Sequence, residues 1–96
     1  MQTNIDDLTK LRVAIDKVDE DIIQLLAKRF ALTRRVGNYK KIKKLDPIDS
    51  CRERSQAKRL VKLSKKSGLN YYLVLSLYKL IIDEVVKNHK KMLKIS

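Results

Sequence analysis

LRVAIDKVDEDIIQLLAKRFALTRRV (residues 11–36) is the stretch that decides the fold. Leu11, Ile15, Val18, Ile22, Leu25, Leu32 and Val36 recur at alternating steps of four and three, with Arg29 in the same register. That period places them on one face of an α-helix and holds them there for roughly four heptads. Asn4 is expected to cap the start, with Asp6 and Asp7 favouring the positive end of the helix dipole. Gly37 alone weakens the run. A stop is expected around Lys44, because Pro47 and Asp49 open a loop. Ser50-Cys51-Arg52-Glu53 then reads as a capping box for a short, very basic helix. That helix reaches about Lys66, where Gly68 suits the C-terminal cap. Asn70 is expected to cap a third helix, apolar at Leu73, Leu77, Leu80, Ile81, Val85 and Met92 and ending near Leu93. The expectation is an all-α chain of three helices, one of them very long, forming a single domain over residues 1–96.

Length makes the first helix a problem. About 40 residues at 1.5 Å each span roughly 60 Å. A compact chain of this size has a radius of gyration of only about 12 Å. Two shorter helices do not cover so long a stripe, so it needs a second chain. A homodimer with the long helices paired is the simplest solution. The alternative is a helix that bends near Gly37 and folds back.

Composition narrows the function. The 96 residues carry 23 Lys+Arg against 11 Asp+Glu, a formal net charge of +12. That balance calls for an anionic partner or substrate, without choosing among nucleic acid, an acidic membrane surface and a small polyanion. No apolar run is long enough to span a membrane, and none near the N-terminus resembles a secretion signal. Cys51 is the single cysteine. With no internal disulfide available, a reducing, cytoplasmic setting is expected.

The inward charges carry the chemistry. Arg29 and Lys40 lie eleven residues apart, about three full turns, and so point the same way. Arg12 lies seventeen residues before Arg29, roughly 100° round the helix. Arg12 and Arg29 therefore do not easily serve one pocket from a single chain, but they can if a partner chain supplies Arg12. On the third helix His89 continues the stripe of Ile81, Val85 and Met92. A buried charge is costly unless paired, and Asp19, Glu53 or Glu84 are available to Arg29. An interhelical ion pair is one reading of Arg29; a solvated basic run is one reading of Lys40; a surface position near a fraying end is one reading of His89. Convergence of two Arg, a Lys and a His favours a small dicarboxylate, because guanidinium forks match carboxylates.

LRVAIDKVD (11–19), LLAKR (25–29), VGNYK (36–40), DSCRE (49–53) and LYKLIIDEVV (77–86) occur in this order. Together they resemble the all-helical (type II) chorismate mutases over about residues 8–92. The resemblance implies an intertwined six-helix homodimer with two equivalent sites. It implies a cofactor-free, metal-free rearrangement of chorismate to prephenate on the route to phenylalanine and tyrosine. By position, Arg12 from the partner chain and Arg29 would grip the substrate carboxylates. Lys40 would bond the ether oxygen and one carboxylate. Glu53, with backbone at Asp49 or Arg52, would hold the ring hydroxyl.

Two positions depart from that pattern. Val85 stands where many members carry Ser or Thr, and His89 where they carry Gln or Glu at the ether oxygen. Because a charged imidazole donates more strongly than a neutral group, activity is expected to rise as the pH falls and His89 takes up a proton. The same scaffold also serves isochorismate pyruvate-lyases and aminodeoxychorismate mutases, and Val85 and His89 leave those chemistries open. A mutase-like chain that has lost its chemistry is a further alternative. A basic helical dimer on nucleic acid is the most distant reading; the chain has no recognised DNA-reading motif to support it.

Overall fold

The computed structural model describes residues 3–95, with side-chain surroundings given for residues 6–94. Helix α1 covers Thr3–Lys43, α2 covers Ser50–Lys66 and α3 covers Tyr71–Ile95. Every regular element among the described residues is helical, as the apolar spacing requires. Asn4, expected as the cap of α1, lies inside the helix, which already includes Thr3. α1 is continuous through Gly37, so the chain does not fold back there.

The chain divides into two compact units, one ending at Leu32 and the other beginning at Thr33. The described residues of the first unit, from Thr3, are helical. Its polar face carries an exposed Lys17–Asp21 ion pair at 3.2 Å, of a kind that contributes little to stability. Its apolar face is uncovered: Leu11, Ile15, Val18, Ile22 and Leu25 are each about half exposed or more.

In the second unit α2 packs against α3. The buried side chains there are Leu60, Ile81, Gln56, Ser64 and His89. Ser64 satisfies its hydroxyl within its own helix, donating to the Leu60 carbonyl at 2.7 Å. Leu73, Leu77 and Leu80, placed on the apolar face of α3 by their spacing, remain more than half exposed.

Helix ends explain where the chain turns. Asp49, not Ser50, caps α2: its φ and ψ are −124° and 91°, and its Oδ1 accepts from the Arg52 amide at 3.0 Å. Ser50 is the first helical residue. A carboxylate at this position outperforms the expected serine because it adds charge at the positive end of the dipole. Asn70 caps α3 as expected, its Oδ1 accepting from the Tyr72 amide at 2.9 Å. After α2, the Gly68 amide reaches the Lys65 carbonyl and the Leu69 amide reaches that of Ser64. This is a Schellman end with Gly68 at φ +71°, one residue beyond the true cap, Ser67.

The end of α1 has the same hydrogen bonds: Lys44 N to Lys41 O, and Leu45 N to Lys40 O at 2.7 Å. Here the left-handed position is filled by Lys44, at φ 56°. A side chain in that region is strained, so Lys44→Gly is expected to stabilise the protein by about 1 kcal/mol. A thermal melt checks this; a lower midpoint for the variant would contradict it.

Candidate active site

Within the second unit, Lys40 and the 44–49 loop form one cluster. The turn at Lys44 brings the chain back, so that the Lys40 Nζ donates to the Pro47 carbonyl at 3.2 Å. Lys40 is half-buried. With one acceptor at Pro47, the amine has further donor capacity. The Asp46 Oδ1 accepts from the Ile48 amide at 2.8 Å, which shapes the same loop.

Asp49, Arg52 and Glu53 form the next cluster at the start of α2. Asp49 and Arg52 are exposed and Glu53 is half-buried. The Asp49 carboxylate holds the Arg52 amide, and its carbonyl accepts from the Glu53 amide at 3.0 Å. The cap thereby fixes the backbone from which Arg52 and Glu53 project. Glu53 lines a cavity of about 220 Å³ between α2 and α3, together with Leu60, Tyr78 and Ile82. The expected capping-box duty of Glu53 is not needed, because Asp49 takes the cap.

The third cluster is centred on His89, which is 5 % exposed. It is a buried residue, not the frayed surface position that its place near the chain end also allowed. Its Nε2 lies 2.9 Å from the Thr33 carbonyl of α1. Its Nδ1 is buried and has no hydrogen-bond partner. Gly37, one turn after Thr33, is buried beneath the ring: a Cβ there would lie 2.6 Å from Cδ2 and 2.9 Å from Nε2 of His89. Val85, one turn before His89, is half-buried. Thr33 and Gly37 were not among the residues expected at the site. An isolated glycine inside a strongly periodic helix was the available signal, since it marks close approach as readily as weakness.

In the first unit Arg12 is exposed and Arg29 is half-buried. Among the described residues no group of three His, Cys, Asp or Glu side chains is placed to hold a metal ion. No helix among them is long and apolar enough to cross a membrane.

Lys40 and the buried imidazole, with one nitrogen unsatisfied, belong to the second unit, and Arg12 and Arg29 to the first. Comparison with known proteins identifies the family. Residues 11–90 match the family model for chorismate mutase type II, and the chain belongs to that family. It is 41% identical over 88 residues to a bifunctional chorismate mutase/prephenate dehydratase of Buchnera aphidicola subsp. Schizaphis graminum, covering 91% of this chain and 23% of that protein. A protein of the same description from Buchnera aphidicola subsp. Acyrthosiphon pisum is 34% identical over 83 residues, covering 86% and 22%. The chain thus spans about a quarter of the length of the curated relatives it matches.

Proposed function

We propose that this chain is a chorismate mutase, rearranging chorismate to prephenate for phenylalanine and tyrosine synthesis. The observation that carries this reading is the family match over residues 11–90, which contains every cation expected at the site. The reaction is pericyclic. One ether C–O bond breaks as one C–C bond forms, and no proton, electron or group leaves the substrate. The protein's task is to hold the folded conformer and stabilise negative charge growing on the ether oxygen.

In this reading Arg29 and the partner chain's Arg12 hold the two carboxylates through charge-assisted bonds. Lys40 donates to the ether oxygen and to one carboxylate. Its bond to the Pro47 carbonyl supports this role, because it fixes the ammonium before substrate arrives. Glu53, with the Asp49–Arg52 backbone, holds the ring hydroxyl. His89 donates to the ether oxygen from α3, and Val85 adds an apolar wall beside it. No cofactor takes part. The +12 charge raises the local concentration of the dianion.

The working unit in this reading is an intertwined homodimer. Support comes from the uncovered α1 stripe and from the small core: among the described residues, Leu60 and Ile81 are the buried hydrophobic side chains. So few do not offset the conformational entropy of ordering 96 residues. The lone, exposed Cys51 is consistent with a reducing cytoplasm as the setting. The bifunctional relatives carry in their name a prephenate dehydratase, an activity that consumes the product proposed here.

Product identification tests the reading. Incubation with chorismate is expected to yield prephenate. Salicylate and pyruvate from isochorismate alone would replace it with the lyase reading, which Val85 and His89 make the nearest competitor. Inertness toward both substrates would mean that the scaffold persists without its chemistry.

A further inference from the structure

We infer that Thr33 and Gly37 form a slot in α1 that fixes His89 as the Nε2–H tautomer, so that His89 reaches the ether oxygen as a donor only when its ring is charged. The inference rests on the mutase reading for its consequence, but not for the slot itself.

The argument begins with the Thr33 carbonyl. It is an acceptor only, so the His89 Nε2 at 2.9 Å must carry the proton. The opposite tautomer would set two bare acceptors against each other at that distance. Gly37 makes the approach possible. It stands four residues after Thr33, so its α-carbon lies beside that carbonyl on the same face of α1. Any side chain there would occupy the space of Cδ2 and Nε2. The glycine that weakens α1 locally is therefore the opening through which the imidazole reaches the backbone.

Ring geometry fixes the rest. The edge bearing Cδ2 and Nε2 lies against α1, so Nδ1 sits on the opposite edge and points away from that helix. In the neutral ring Nδ1 is then a bare acceptor, buried and without a partner. Buried polar atoms are rarely left so, and an orphan in a native structure calls for a ligand or a function. An ether oxygen offers no proton, so neutral His89 opposes it. Protonation turns Nδ1 into a charge-assisted donor, and the ether oxygen is then the acceptor that satisfies it.

On α1, Lys40 lies seven residues after Thr33. On α3 the residues one turn away, Val85, Val86 and Met92, are uncharged. α2 contributes the half-buried Glu53 to the face it presents to α3.

His89 is the single histidine of the chain, so ring-nitrogen NMR of the whole 15N-labelled protein reads it without ambiguity. At a pH where the ring is neutral, a protonated Nε2 and a bare Nδ1 are expected. Gly37→Ala should lose that preference as the ring is expelled. A protonated Nδ1, or the mixed tautomers of free imidazole, would overturn the slot. For the consequence, kcat/KM on chorismate is expected to fall by about tenfold per pH unit once the ring loses its proton. His89→Gln, which donates at any pH, should abolish that fall and exceed the unsubstituted protein by about tenfold at the alkaline end. Superimposable profiles would overturn the requirement for a charged ring. If neither protein turns over chorismate, the mutase reading fails, and the NMR result upholds or overturns the slot by itself.

Discussion

Arg29→Ala is expected to lower kcat/KM on chorismate by two to four orders of magnitude while leaving the helical content unchanged. The size follows from the roughly 2–5 kcal/mol lost when one member of a desolvated charge pair is removed. Arg29 is half-buried and stands in the apolar register of α1. A cation in that position is tolerated when an anion meets it, and the proposed anion is a substrate carboxylate. Arg29→Lys should recover little, because an ammonium keeps the charge but loses the planar fork that binds two oxygens at once. Steady-state kinetics alongside far-UV circular dichroism checks this. A variant that unfolds would instead assign Arg29 to a structural ion pair, and one that retains full turnover would remove it from the site.

Ile22→Glu should disrupt the assembly. Ile22 sits in the middle of the α1 stripe and is 48 % exposed in the single chain. In the proposed homodimer it faces the partner helix, and the symmetry doubles every substitution. Each copy would forfeit about 1.5–3 kcal/mol of side-chain burial. It would also desolvate a carboxylate against an apolar surface, at several kcal/mol more. Sedimentation at micromolar concentration is expected to give twice the chain mass for the unsubstituted protein. The variant should sediment as a single chain or lose its helical signal. A single-chain mass for the unsubstituted protein, with its helices intact, would overturn the dimer.

Much of this molecule was legible in the sequence, because helices are local objects. The apolar steps of four and three specified α1, and Asn70, Gly68 and the Lys44–Pro47 break marked ends within one or two residues of where they lie. Each such signal depends on residues no more than a turn apart. Cap assignment at α2 was less secure: Asp49 and Ser50 are adjacent and both competent, and only the backbone angles decide between them. Arg29 was legible as a charge in an apolar row from register alone, and it is half-buried, whereas Arg12 is exposed.

The surroundings of His89 were not. Its bond to Thr33 joins residues 56 positions apart, and no periodicity links them. Gly37 read as a weak point in a helix because its value lies in the missing Cβ, which matters only when another helix arrives there. What the sequence determined by itself was the set of helices and the side chains they carry along each face. Which imidazole nitrogen bears the proton was decided by tertiary structure alone, because that choice depends on the carbonyl set opposite the ring.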